Sequence, residues 1–162
     1  MCRGVFAHQF LDVREPLDRA TIMAHFNEEA HMLDTATSTD TATVARELVA
    51  LCREGRNMEA IAKFYSPDIV STESMSSETM PAEIHGIDAV RGKNEWWVEN
   101  NEIHSASATG PFIGDGQFAV RFDYDTTFKP TGERLEMSEM ALYDVADGKI
   151  VREHFFYNTP GK

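Results

Sequence analysis

The sequence lacks the features that mark several large classes of protein. Only two cysteines, Cys2 and Cys52, occur among 162 residues, so no disulfide framework is indicated. No apolar run approaches the ~18–20 residues that a membrane-spanning helix needs. The sequence contains no G-x-G-x-x-G, Walker loop, G-x-S-x-G or C-x-x-C motif. We therefore expect any chemistry to use side chains and water, without a cofactor.

Basic residues are also scarce, because 15 Lys and Arg face 27 Asp and Glu and leave a net charge of −12. An acidic surface repels phosphate backbones and anionic lipids, so neither nucleic acid nor a membrane is an expected partner. His25 and Glu29 have helical i,i+4 spacing with His31 nearby, but no third ligand follows at a closed-site spacing, so we expect no metal. The apolar stretch 5–7 is too short for a signal peptide, which favours a cytoplasmic location.

The chain divides into an N-terminal arm, residues 1–40, and one domain, residues 41–162. Pro16 is suited to the first turn of a helix that runs to about Leu33, and the polar segment 34–41 is typical of a linker or cap region. Residues 1–40 are expected to be a mobile arm, or to precede an internal methionine that is the natural start. The alternative is a helix that docks on the domain or on a neighbouring subunit.

Helical periodicity dominates the first half of the domain. Val44, Leu48 and Leu51 repeat at helical spacing, and Gly55 is suited to end that helix. A short helix follows over residues 57–65, then turn residues at 66–68, a strand over 69–73, and a loop over 74–85. Gly86 opens a third helix that runs from Ile87 to about residue 100.

After residue 101 the apolar period changes to two, which is typical of strands. Strands are expected over 102–109, 117–128, 134–146 and 149–158, with turns at 110–111, 114–116, 129–132 and 147–148. Helices followed by an antiparallel meander predict an α+β fold. The meander must curl around its apolar face, so helices on the concave side would close a cone with a pocket inside.

Two glutamates are the main candidates for chemistry. Glu73 ends an apolar strand, where desolvation disfavours the charged carboxylate and permits a general acid or base near neutrality. Glu139 interrupts the apolar row Leu135, Met137, Ala141, Tyr143 and Val145, and a buried carboxylate needs a partner or a protonation role. The alternatives are a solvated strand-end residue for Glu73 and, for Glu139, a structural ion pair with Arg121, Arg152 or Lys93.

His104 is a third candidate, because a histidine exchanges protons at cellular pH, although most lone histidines are simply hydrogen-bonded. Lys93 lies one helical turn before Trp96 and Trp97, so its side chain can face the same side of the helix as theirs. We expect the residues that bind a small hydrophobic ligand to be Tyr65, Lys93, Trp97, Phe122, Tyr124, His154 and Phe156.

Three segments resemble the SnoaL-like branch of the nuclear transport factor 2-like superfamily in their order and spacing. They are residues 60–68 in the second helix, residues 86–93 at the start of the third helix, and residues 147–153 across the last hairpin. The resemblance covers about residues 43–158. It implies a cystatin-like cone of three helices against a strongly curved, mostly antiparallel mixed sheet, usually a homodimer.

The resemblance also carries site residues over in part. Segment 68–73 matches the isomerase pattern Asp-x-x-x-x-Asp with Glu73 in the place of the base. The oxyanion-binding tyrosine of the isomerases is replaced by Leu48, and the cyclase acid/base position falls near Ala141, two residues after Glu139. Relatives include isomerases, cyclases, dehydratases and epoxide hydrolases, and some have no catalytic activity, so the fold does not fix the function.

These observations predict a cofactor-independent acid–base enzyme that acts on a small apolar carbonyl or enol compound. Glu73 would move a proton, Glu139 would assist, and His104 or Tyr124 would donate a hydrogen bond to an oxyanion. The alternative is a dimeric binding module of the same fold without catalysis. An open pocket with an unpaired buried carboxylate would favour the enzyme.

Overall fold

The computed structural model describes residues 37–76 and 81–158. This part of the chain contains three helices: α1 (Thr37–Arg53), α2 (Asn57–Phe64) and α3 (Ile87–Asn100). Gly55 adopts the left-handed conformation, with φ of 72°, as expected of a glycine that ends a helix. The three predicted helices are therefore confirmed, and α1 begins within the polar segment 34–41, which was expected to be a linker or cap region.

The strands are β1 (Tyr65–Thr72), β2 (Glu83–His85), β3 (Asn101–Ile113), β4 (Gln117–Phe128), β5 (Glu133–Ala146) and β6 (Lys149–Tyr157). They form one sheet in the order β2-β1-β6-β5-β4-β3. Only β1 and β6 run parallel, and the other neighbours are antiparallel. This open mixed sheet with three helices confirms the predicted α+β class.

The hydrophobic core lies between the helices and the inner face of the sheet. Helix α1 contributes Leu48 and Val49, and α3 contributes Val90. Strand β4 contributes Phe118 and Val120 from the sheet, and the side chains on its opposite face are more exposed. The predicted alternation along β4 and β5 is therefore observed. It places Glu139, with the alternate residues of β5 that share its face, on the side of the sheet toward the helices.

Three local predictions differ from the structure. Strand β1 starts at Tyr65, so the expected turn at 66–68 is part of an irregular strand whose register against β6 shifts between Tyr65 and Val70. Likewise, β3 continues past the expected turn at 110–111 through a second register shift. The expected loop 74–85 contains the short strand β2. Pairing with a neighbouring strand holds these segments extended despite their turn-forming residues.

A bulge in β6 reverses the face on which its later residues lie. Asp144 pairs with Arg152 and Val145 pairs with Ile150, so Val151 is an extra residue on β6. Glu153 consequently shares the inner face with Ile150, and both side chains are buried. The predicted alternation placed His154 and Phe156 on the Ile150 face, and that assignment is wrong because of the extra residue.

The expected helix over residues 16–33 and most of the arm lie outside the described residues. Among the helices of segments 37–76 and 81–158, none combines the length and the apolar character needed to cross a membrane.

Candidate functional site

A cavity of about 420 Å³ lies between the inner face of the sheet and the helices. Its walls are largely aromatic and aliphatic, with a few charged groups at defined positions. Such a combination is typical of a site for a small molecule. The lining residues are Leu48, Cys52, Asn57, Ala60, Ile61, Tyr65, Glu73, Met75, Ser76, Lys93, Asn94, Trp96, Trp97, Phe122, Tyr124, Met137, Glu139, Tyr143, Glu153, Phe155 and Tyr157.

Lys93 is the centre of a polar network on one wall of the cavity. It projects from α3, and its ammonium group donates to Ser71 Oγ at 2.7 Å, Glu73 Oε1 at 2.7 Å and Glu153 Oε1 at 3.2 Å. The same nitrogen lies 4.5 Å from the ring centroid of Phe155. The two nearby carboxylates raise the pKa of Lys93 although desolvation alone would lower it. Lys93 is therefore a cation whose hydrogen bonds are satisfied within the protein.

Glu153 is the buried anchor of this network, with 1% of its surface exposed. Besides Lys93, it accepts hydrogen bonds of 2.6 Å from the hydroxyls of Tyr65 and Ser71. Its two carboxylate oxygens thus receive three donors. Burial and the neighbouring Glu153 charge hold the pKa of Tyr65 well above its usual value, so that hydroxyl remains a donor.

Glu139 faces the same cavity from β5 but is bound quite differently. Among the described residues, no group donates a hydrogen bond to its carboxyl group and no cation forms a salt bridge with it. Desolvation, reinforced by the charge of Glu73, raises its pKa from 4.5 to about 7, even though Lys93 acts in the opposite direction. The expected alternative of an ion pair with Lys93, Arg121 or Arg152 is not observed within the described part of the chain.

Tyrosine hydroxyls complete the polar lining. Burial raises the pKa of Tyr124, and the charge of Glu139 raises it further. Burial and then the charge of Glu153 raise the pKa of Tyr143 in the same way. These hydroxyls therefore stay protonated at neutral pH and are able to donate. The Tyr124 ring lies 5.1 Å from the Trp97 ring, centroid to centroid, which sets two aromatic faces beside the Glu139 row.

Seven of the ten candidate residues line this one cavity, and three lie elsewhere. The seven are Glu73, Glu139, Tyr65, Lys93, Trp97, Phe122 and Tyr124. His104 lies on the outer face of the sheet, where its Nε2 is 2.8 Å from Thr127 Oγ1. His154 and Phe156 contact each other with ring centroids 4.1 Å apart, and Phe156 is 46% exposed. These three side chains do not reach a ligand in the cavity.

The sequence interpretation missed Glu153, Ser71 and Tyr157. Ser71 could have been found, because it alternates with Ile69 and Glu73 on the predicted strand. Glu153 and Tyr157 alternate with His154 and Phe156, the residues expected to bind the ligand, and no local signal marks the bulge at Val151 that moves Glu153 and Tyr157 inward. Tyr157 pairs with Glu139 across β5 and β6. Burial, followed by the charge of Glu73 and a hydrogen bond with it, raises the pKa of Tyr157.

A smaller cavity of about 280 Å³ adjoins the first one. Glu73, Lys93 and Trp96 belong to the lining of both, so the Glu73–Lys93 salt bridge lies between them. Within segments 37–76 and 81–158, no three His, Cys, Asp or Glu side chains are grouped so as to hold a metal ion.

Three helices on an open mixed sheet form an α+β fold of the kind described as cystatin-like and nuclear transport factor 2-like. The chain belongs to the SnoaL-like family, because residues 39–157 match the SnoaL-like domain. The family resemblance and the predicted fold are thus confirmed.

A crystal structure from Mesorhizobium loti, provisionally described both as a SnoaL-like polyketide cyclase and as a carbohydrate phosphatase, is 43% identical, with a TM-score of 0.68 over 72% of this chain and 97% of that one. An NTF2-like protein from Anabaena variabilis is 15% identical, with a TM-score of 0.59 over 80% and 98% of the two chains.

A protein with a cystatin-like fold from Xanthomonas campestris is 17% identical, with a TM-score of 0.60 over 74% of this chain and 91% of that one. At these lower identities the likeness concerns the fold alone. A search of curated proteins finds no match.

Proposed function

We propose that this protein is a cofactor-independent enzyme that moves a proton on a small, largely apolar carbonyl or enol compound, with Glu139 as the acid–base group. One observation carries the proposal: Glu139 is a cavity-facing carboxyl group without a hydrogen-bonding partner among the described residues. The side chain is part-exposed and lines the cavity, so a bound molecule can reach it. A bound substrate or water would supply the missing partner.

The pKa of Glu139 suits this role. A general acid or base is most effective when its pKa lies near the working pH. With a pKa of about 7, Glu139 is populated both as a carboxylate and as a carboxylic acid at neutral pH. It can therefore take a proton from a carbon next to a carbonyl group and return it to another position of the same substrate.

Tyr124 and Tyr143 are the proposed donors to the substrate oxygen. An enolate oxygen gains negative charge as the proton leaves carbon, and hydroxyl donors in a dry site stabilise that charge. Both tyrosines line the cavity and keep their protons because their pKa values are raised. Tyr124 thereby keeps the role expected from the sequence, whereas His104 has no part in it.

Glu73 takes a different role from the one expected. One of its oxygens lies 2.7 Å from Lys93, and its side chain is 18% exposed. A carboxylate held in a salt bridge is less available to a substrate than Glu139 is. In this proposal Glu73 positions Lys93 and adds negative charge near Glu139, and Glu139 moves the proton.

The proposal accords with the name of the Mesorhizobium relative, since cyclisation of a polyketide is also carbonyl chemistry. Isomerisation, cyclisation, dehydration and hydrolysis all fit this acid–base description. Homodimer formation and a cytoplasmic location stay predictions.

The test measures exchange of the α-hydrogens of 1-tetralone and related aromatic ketones in D₂O by proton NMR. We expect the wild-type protein to accelerate exchange and Glu139→Gln to reduce that acceleration about 10²-fold, the usual size of a general-base effect. Glu136→Gln is the matched control, because Glu136 lies on the same strand and is exposed on the opposite face.

Equal exchange rates in wild type and Glu139→Gln would remove Glu139 from the mechanism. Binding of the ketones without any exchange would favour the alternative of a non-catalytic binding module.

A further inference from the structure

More acidic than basic side chains line the cavity. Glu73, Glu139 and Glu153 contribute three carboxyl groups, and Lys93 is the sole Lys, Arg or His among the lining residues that the structure describes. The protein as a whole carries a net charge of −12, which adds to the negative potential at the site. A cationic ligand is therefore favoured over an anionic one by both the local and the overall charge.

Lys93 does not offset this preference. An ammonium group has three N–H donors, and those of Lys93 are directed at Ser71, Glu73 and Glu153. An anionic ligand would have to compete with two carboxylates at 2.7 Å and 3.2 Å for this cation. The lining described here thus offers an acidic ligand no free counter-charge.

Glu139 is the complementary group for a cation. Its carboxyl group has no salt-bridge partner among the described residues, and it shares the cavity with the rings of Trp97 and Tyr124. A carboxylate beside aromatic faces is the usual arrangement for binding amines, because the ring faces carry partial negative charge. The same lining has no comparable arrangement for a carboxylate or phosphate ligand.

We infer that the ligand of this cavity carries a protonated or quaternary amine, held by Glu139 and the faces of Trp97 and Tyr124. The inference rests on the proposed function only in taking Glu139 as the ligand-facing group. Both roles are compatible, because a carboxylate has two acceptor oxygens: one can hold the ammonium group while the other takes a proton from carbon. The substrate class becomes a carbonyl compound that also bears an amine.

The affinity for an amine should depend on pH through Glu139. Other titratable groups line the cavity around Glu139. They are Glu73, Lys93, Glu153, Tyr157, Tyr124, Tyr143 and Cys52. The tyrosines and Cys52 keep their protons near neutrality because burial raises the pKa of each, that of Cys52 to about 12. Glu139, with its pKa of about 7, is the group expected to titrate between pH 6 and pH 8.

The test compares three naphthalene probes of similar size by isothermal calorimetry at pH 8: 2-(1-naphthyl)ethylamine, 2-(1-naphthyl)ethanol and 1-naphthylacetate. We expect the amine to bind the wild-type protein at least about tenfold more tightly than the alcohol, the size of one charge-assisted hydrogen bond, and the carboxylate to bind most weakly. Lowering the pH to 6 should weaken the amine about tenfold, because Glu139 becomes protonated, and leave the alcohol unchanged.

Glu139→Gln should lose most of the preference for the amine and keep only what the ring faces and the remaining negative charge supply, whereas Glu136→Gln should keep the preference of the wild type. Equal binding of amine and alcohol by the wild type, binding of none of the probes, or an amine preference that is undiminished in Glu139→Gln would each overturn the inference. These outcomes are separate from the ketone-exchange test, since calorimetry measures binding alone and neither the amine nor the alcohol has a carbonyl group. Amine selectivity in a protein that exchanges neither 1-tetralone nor the amine-bearing ketone 4′-(aminomethyl)acetophenone would leave the inference standing and refute the proposed function.

Discussion

Glu153 and Glu139 line one cavity, and the difference between them shows how a fold separates structural from reactive carboxylates. Glu153 receives donors from Tyr65, Ser71 and Lys93, so both of its carboxylate oxygens are hydrogen-bonded and its charge is partly compensated by the lysine. Glu139 has none of these contacts within the described residues, and desolvation raises its pKa to about 7. The compensated group stabilises the fold, whereas the uncompensated group is available to a ligand.

The largest expected effect is the loss of stability when the charge of Glu153 is removed. Glu153→Gln removes the charge that faces Lys93 and sets an amide N–H₂ group against hydroxyl donors. We expect the free energy of unfolding to fall by about 3 kcal/mol, as when one partner of a buried ion pair is lost. Urea unfolding at pH 8 measures it. Glu139→Gln is the matched substitution, and an equal loss there would contradict the contrast between the two sites.

A smaller expected effect is the change in stability with pH that Glu139 causes. The pKa of Glu139 is raised in the folded state, so its contribution to stability is fully present below pH 4.5 and is lost as the pH rises through about 7. Wild type should therefore lose roughly 2 kcal/mol relative to Glu139→Gln between pH 4.5 and pH 8, after allowance for solvent in the cavity. Urea unfolding of both proteins across this range measures it. A difference that stays constant with pH would show that Glu139 does not titrate there.

The smallest expected effect concerns the outer face of the sheet. His104→Gln removes a ring that contacts Thr127 rather than the cavity. We expect unchanged ketone exchange and an unchanged urea midpoint, since the side chain is exposed and distant from the proposed reacting groups. Tyr124→Phe is its counterpart on the inner face and should slow exchange. A slower rate in His104→Gln would mean that the outer face takes part in the reaction.

The periodic parts of the sequence predicted the fold well. Apolar spacing in α1 and alternation along β4 are local signals, and they gave the element types and most of their bounds. Gly55 and the Asp147–Gly148 pair adopt positive φ values, as expected for the end of a helix and for a tight hairpin. Such features depend on backbone preferences that a few residues determine.

The candidate site was predictable only in part, for a physical reason. Glu73 and Glu139 could be placed on apolar rows, but their partners depend on contacts between distant segments. Lys93, for example, joins α3 to β1 and β6, and one extra residue at Val151 decided that Glu153, rather than His154, faces inward. A one-residue bulge leaves hydrophobic content almost unchanged, so the sequence pattern does not reveal it.

The amino-acid sequence by itself determined the three helices, the meander and an apolar row interrupted by Glu139, because these follow from short-range periodicity, and the order and spacing of three segments pointed to the family. Only the tertiary structure decided that Lys93 pairs with Glu73 and Glu153 and leaves Glu139 unpaired. That choice depends on distances across the folded cavity, and electrostatic and hydrogen-bonding energies change steeply over a few ångströms.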